Sequence, residues 1–345
     1  MAPKPAGRKR LNLGLQGGGA HGAFTWGVLD RLFEEDEIEI VGTSGTSAGA
    51  MNAAVMAYGL AIGGKAGARA KLAEFWQRIG DAARFSPLQP SPVDRWFGLG
   101  NMDHSPGWMF FDNLSRMLSP YELNPANFNP LRDIVADVVD FAALAEQCSR
   151  HVVTLYLCAT NVETGRIKVF EGDEIGLDAV MASACLPYLF QAVEVDGAHY
   201  WDGGFSGNPP IFPLIYGTDC ADVLIIQINP INIDAVPKTA RAILDRMNTL
   251  AFNSSLMREM RAIDFVTRLI DEERLDPGRY KRLNIHTIDA EDVFKTLGVS
   301  SKINADPVFL RSLFELGREC CAQFLEAHQD KIGVESSADT QATFL

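Results

Sequence analysis

Residues 38–61 read IEIVGTSGTSAGAMNAAVMAYGLA. A short apolar, β-branched run meets a cluster of Gly, Thr and Ser, and small apolar residues follow, which predicts a strand, a tight turn and a buried helix. The same order stands just upstream. Leu11, Leu13 and Leu15 alternate, reach the glycines of GGGAHG at 17–22, and lead into a helical pattern over residues 20–33. Strand, helix, strand, helix is the arrangement of a mostly parallel sheet covered on both faces, an α/β fold. Further strands are expected at HVVTLYLCA, RIKVF and DVLIIQIN, and VEVDGAHYWD reads as a hairpin turning at Asp196 and Gly197.

Two serines share the turn, and one fits the geometry of a nucleophile. In G-x-S-x-G the flanking glycines let a strand turn sharply into a helix and push the serine hydroxyl into the open. Gly45, Thr46, Ser47, Ala48 and Gly49 fill that frame, whereas for Ser44 the last position is Thr46 and the frame fails. The helix N-terminus behind Ser47 favours negative charge at its oxygen.

The first glycine turn has two readings. Gly17, Gly19 and Gly22 satisfy the G-x-G-x-x-G of dinucleotide binding, but the acidic residue that would hold a ribose belongs at the carboxyl end of the second strand. Glu37 and Glu39 precede Ile40 and Val41, the wrong end. The other reading is an oxyanion hole in which the N–H groups of Gly17, Gly18 and Gly19 face a tetrahedral intermediate. Loops leaving the same edge of a parallel sheet converge on one substrate.

A serine needs a base. A late histidine, His286 or His328, would follow the order Ser, acid, His. Only one strand precedes this elbow, however, and neither histidine sits in a turn motif; His151 and His199 flank strands and read as ordinary half-buried side chains. Asp202, in WDGGFSGNPP, follows the second hairpin arm and is trailed by Gly203, Gly204 and Gly207, more glycines than a turn requires.

GGGAHG, GTSAG, ASACLP (182–187) and DGG, in that order, together resemble the bacterial branch of the patatin-like phospholipases. The likeness covers residues 11–230 and, through RMNTLAFNSSLMREMRAIDFVTRLI, extends to about residue 275. The resemblance implies a three-layer α/β/α fold with a C-terminal helical extension, and a Ser-Asp dyad without histidine. Ser47 would be the nucleophile, Asp202 the general base, and Gly17, Gly18 and Gly19 the oxyanion hole, with Gly22, Gly45, Gly49, Gly203 and Gly204 supporting the motifs. The implied activity is hydrolysis of fatty-acyl lipid esters; a catalytically idle lipid-binding or scaffolding protein of the same fold is the alternative. The family usually places Arg or Lys where this chain has His21, which near its ordinary pKa of about 6.5 is only partly charged at neutral pH.

Bulk properties bound these readings. The 345 residues carry a net charge of −13, with 47% hydrophobic and 22% charged residues, a globular balance that argues against nucleic-acid partners. No His, Cys or Asp cluster has ligand spacing, so neither metal nor cofactor is implied. The six cysteines show no CxxC pairing, and reduced thiols in a cytoplasmic setting are expected. The uncharged run 41–64 reads as a buried helix rather than a membrane span, and the glycine-interrupted N-terminus is not a signal peptide.

The expected organisation is a basic flexible arm at 1–10, one domain over 11–332 and a disordered tail at 333–345. Within the domain, 83–115 is either a cap packed on the core or a lid, and 239–332 is the helical extension. The four basic residues of the arm and the aromatics near Trp96 and Trp108 point to transient contact with an anionic lipid surface.

Overall fold

The computed structural model describes residues 8–97, 100–148, 153–276 and 278–345. Among them, eight strands form one sheet: β1 (Lys9–Leu15), β2 (Ile38–Thr46), β3 (Thr154–Asn161), β4 (Ile167–Glu171), β5 (Val193–Val195), β6 (Ala198–Asp202), β7 (Asp222–Ile226) and β8 (Asn284–Ile288). The order is β5-β6-β3-β2-β1-β7-β8, with β4 also paired to β3. β3, β2, β1, β7 and β8 run parallel; β4 and β6 oppose β3, and β5 opposes β6.

The alternation of side chains across β7 shows why the sheet is covered twice. Leu224 and Ile226 enter one core with Phe24 and Met51, while Val223 and Ile225 enter a second core with Leu256 and Met260. A strand whose two faces are both buried must be apolar throughout, as DVLII is. The first core lies under α1 (Gly22–Leu32), α2 (Ala48–Ala83) and the helix Pro307–His328; the second lies under the helix Ala240–Asp271. The fold is therefore the three-layer α/β/α arrangement expected, with C-terminal helices. The uncharged run 41–64 divides between β2 and α2, with Ala50, Ala53, Ala54, Val55 and Met56 fully buried. The helix breaks at Gly63 and Gly64. Among the described residues, no helix is long and apolar enough to cross a membrane.

Three features depart from expectation. β8 is an unanticipated strand inside the helical extension. Its sequence, NIHTI, hides a buried strand because Asn284 and His286 are polar, and both are satisfied inside the protein by Asp222. The tail is ordered: Ser337 and Ala338 donate their N–H groups to the Ile285 oxygen, and the helix Thr340–Phe344 buries Phe344 completely in the second core. One aromatic plug and a few backbone hydrogen bonds leave no periodic pattern to read.

The end of the expected arm is part of the sheet. Lys9 and Arg10 belong to β1, where Lys9 Nζ donates to the Gln329 oxygen at 2.6 Å and Arg10 pairs with Asp219 at 2.7 and 3.0 Å; residues 1–7 lie outside the described residues. The segment 83–115 holds two short helices, Pro92–Phe97 and Pro106–Ser115, whose Trp108 and nearby Met102 are buried while Trp96, Met109 and Phe110 face outward.

Candidate active site

β2 ends at Thr46 and α2 begins at Ala48, so Ser47 is the single residue between them. Its φ of 55° and ψ of −123° fall where an L-residue is strained, a cost of about 1–3 kcal/mol that the surroundings must offset. The turn is pinned from both sides: the Ser47 N–H donates to Ser183 Oγ at 2.9 Å, and Thr46 Oγ1 donates to the Gly207 oxygen at 2.6 Å. A Cβ on Gly45 would stand 2.6 Å from the Gly49 oxygen, and one on Gly49 2.1 Å from the Leu15 oxygen, so both flanks must be glycine. Ser47 lines a cavity of about 200 Å³ with apolar walls that include Met51, Phe75, Trp76, Leu186 and Phe190; among the described residues, its one charged lining residue is Lys302.

Register brings Asp202 to the same level of the sheet. Thr46 pairs with Cys158 on one edge of β3, and Asp202, the last residue of β6, pairs with Ala159 on the other. The ASACLP stretch ties the two together, because Ser183 accepts the Ser47 N–H and the Cys185 oxygen accepts the Asp202 N–H at 2.8 Å. Asp202 is fully buried. Its Oδ1 accepts the Gly204 N–H at 2.7 Å, and among the described residues Oδ2 has no hydrogen-bond partner. Burial pushes the carboxyl from its ordinary 3.8 up to about 6, against the opposing pull of the Ser47 hydroxyl, the Gly204 N–H and the Lys302 charge. The hydroxyl thus lies near enough to bias the carboxyl while forming no bond of normal geometry, a looseness that substrate binding tightens at many active sites.

Of the three N–H groups expected to face an oxyanion, that of Gly17 is committed to Asn208 Oδ1 at 2.6 Å. Among the described residues, no acceptor receives the N–H of Gly18 or Gly19. Gly19 has a φ of 59°, and a Cβ there would stand 2.1 Å from the Lys302 oxygen. Protein backbone therefore occupies the side of Gly19 where a side chain would stand, so this position must be glycine. The remaining motif glycines are also packing positions: a Cβ on Gly22 would lie 2.8 Å from Ala48 Cβ, on Gly203 2.2 Å from the Cys158 oxygen, and on Gly204 2.3 Å from Phe252. His21 is buried against Phe294, with Nε2 2.8 Å from Ser301 Oγ. Burial, then the Lys302 charge, lowers its pKa to about 3, so at neutral pH it is uncharged rather than partly charged.

The late histidines sit elsewhere. His286 lies mid-strand in β8 with Nε2 3.0 Å from Asp222 Oδ1 and Nδ1 2.9 Å from Ser337 Oγ. It is in register with Leu224, Leu13 and Thr43, three strand spacings or about 14 Å across the sheet from β2. His328 ends its helix beside Phe324, and His199 pairs at the surface with Glu163 at 2.7 Å. His151 lies outside the described residues.

Four further residues touch the two turns: Ser183, Asn208, Lys302 and Asn229, whose Nδ2 donates to the Gly17 oxygen at 2.7 Å. Ser183 falls in a motif whose part in the site sequence could not specify, and Asn208 follows the DGG glycines. Asn229 and Lys302 carry no local signal. Among the described residues, no group of three or more His, Cys, Asp or Glu could hold a metal ion.

A three-layer α/β fold with a strained serine between its second strand and second helix has the strand-turn-helix geometry of a nucleophile elbow. The model of the patatin-like phospholipase family matches residues 13–215, more than half of the chain, and the chain belongs to that family. Among solved structures it is similar to VipD from Legionella pneumophila, at 17% identity over 94% of this chain and 67% of that one, with a TM-score of 0.44. It is also similar to ExoU in its heterodimeric complex with SpcU from the type III secretion system of Pseudomonas aeruginosa, at 16% identity over 93% of this chain and 52% of that one, TM-score 0.36. A second structure of the type III effector ExoU gives 16% identity, 94% and 54% coverage and a TM-score of 0.36. The chain thus spans about half the length of the ExoU chains. No curated protein matches it.

Proposed function

We propose that this protein is a serine acyl hydrolase that cleaves fatty-acyl esters of lipids through Ser47 and Asp202. The observation that carries the reading is the buried, unpartnered Oδ2 of Asp202 on a carboxyl raised to about 6, beside a serine held in a strained elbow. Ser47 Oγ attacks the ester carbonyl carbon as its proton passes to Asp202 Oδ2, and the carbonyl electron pair moves to oxygen. The Gly18 and Gly19 N–H groups and the N-terminus of α2 stabilise that oxyanion. Collapse breaks the bond to the alcohol, which leaves with the proton from Asp202. Water then attacks the acyl carbon as its proton passes to the same carboxylate, and collapse breaks the bond to Ser47 Oγ, which takes that proton back as the fatty acid leaves. The apolar cavity at Ser47 suits an acyl chain.

The test is labelling by a fluorophosphonate probe together with hydrolysis of nitrophenyl esters. Wild type is expected to react in both and Ser47→Ala in neither. A folded wild type inert in both assays, under conditions where known serine hydrolases react, would support the idle lipid-binding alternative instead.

A further inference from the structure

The glycine loop contains no charged side chain of its own, because QGGGAHG offers only His21 and that ring is neutral. The cation at this site comes from a segment far along the chain, well outside residues 13–215 that match the family. Lys302, in the short turn Val299–Ile303, lines the Ser47 cavity, sets its carbonyl oxygen against Gly19 and places Nζ over the Phe252 ring at 5.3 Å. That ammonium donates to Asn229 Oδ1 at 2.9 Å, and Asn229 Nδ2 in turn donates to the Gly17 oxygen at 2.7 Å. The Asn229 amide is itself locked, since its N–H and Nδ2 both meet Gln16 Oε1 at 3.1 Å.

The carbonyl of Gly17 and the N–H of Gly18 belong to one peptide plane and, in a trans peptide, point in opposite directions. Holding the Gly17 oxygen therefore aims the Gly18 N–H, and a cation behind the amide polarises the whole chain of donors. Resting on the acyl-hydrolase reading, we infer that Lys302 is a positioning residue that acts through Asn229 to orient and polarise the Gly18 N–H toward the oxyanion formed at Ser47.

The groups that face Lys302 fix its expected pH behaviour. Asp202 comes from β6, Asp245 from the helix Ala240–Asp271 with Arg241 and Asp103 behind it, and neutral His21 from the loop after β1. Burial lowers the ammonium to about 8 against the pull of Asp202 and Asp245, so it is charged at neutral pH and titrates within an accessible range. Activity should follow a bell, with an acid limb near 6 from Asp202 and an alkaline limb near 8 from Lys302.

The experiment measures kcat, KM and pH profiles for a soluble nitrophenyl ester with the full chain and its Lys302 variants. Lys302→Met is expected to lose about 10- to 100-fold in kcat with little change in KM. It should also raise the acid limb, because the cation that lowers the Asp202 pKa is gone. Lys302→Arg is expected to restore most of kcat and to move the alkaline limb upward, which a purely structural role would not do. Should Lys302→Met fail to fold by circular dichroism, Lys302→Gln, which keeps a donor without the charge, reads the same quantities. An active wild type whose folded Lys302→Met or Lys302→Gln variant keeps kcat within about threefold and both limbs in place overturns the inference alone. A wild type that neither hydrolyses esters nor takes the probe overturns the underlying reading, and the inference falls with it.

Discussion

A carboxylate with an ordinary pKa is a poor base toward a serine hydroxyl, and burial of Asp202 answers part of that difficulty. The rise from 3.8 to about 6 makes the carboxylate a stronger proton acceptor and leaves it ionised at neutral pH. If Asp202 is the base, kcat/KM should fall about tenfold between its plateau and pH 5, since the fraction ionised falls with pH below 6. The same burial costs stability. Below 3.8 both folded and unfolded forms are protonated and nothing is lost; between 3.8 and 6 the unfolded carboxyl ionises first and stability declines. Above 6 the loss is complete, at about 3 kcal/mol. Asp202→Asn should therefore abolish hydrolysis while raising the thermal midpoint at pH 7, measured by calorimetry. Ser47 carries a comparable tension in its backbone. Ser47→Gly and Ser47→Ala should both be inactive, with the glycine variant the more stable by about 1 kcal/mol because it relieves the positive φ.

At the scale of elements, β8 and the tail behave as one unit on the far edge of the sheet. Asp222 gathers His286 Nε2, the Asn284 amide and the Gly333 N–H, and Ser337 closes on His286 Nδ1. A Ser, His and Asp linked in this way would look catalytic in isolation, but this trio lies across the sheet from the Ser47 cavity. His286→Ala should leave kcat unchanged and cost about 1–3 kcal/mol in denaturant unfolding, because a buried carboxylate loses a partner. Phe344→Ala should cost about 3–5 kcal/mol as a cavity in the second core, again without changing kcat. A tail free in solution would show neither the penalty nor the hydrogen-exchange protection expected at Ser337 and Ala338.

At the scale of the whole molecule, the residues that match the family do not complete the fold. A fragment ending at residue 230 retains Ser47 and Asp202 but lacks β8, the helix Ala240–Asp271, the helix Pro307–His328 and Lys302. Both cores would open, since Leu256, Met260, Leu313 and Phe314 come from the missing part. It should show no cooperative unfolding transition and no labelling by fluorophosphonate, whereas the full chain shows both. The extension is in this sense part of the site.

What sequence by itself determined here is local and periodic. Alternating leucines, the small-residue helix after GTSAG and the glycine frames specify the first strands, the helices and the turn around Ser47, because backbone sterics and side-chain period act within a few residues. The exposed-looking polar strand β8, the docked tail and the loss of Gly17 as a free donor were decided by partners dozens to hundreds of residues away: Asp222 for His286, Ile285 for the tail and Asn208 for Gly17. The pKa values of Asp202, His21 and Lys302 likewise depend on how much water the packed layers remove and on which charges face one another once they are packed. Only the tertiary structure sets those distances, and so only it brings Lys302 to the glycine loop.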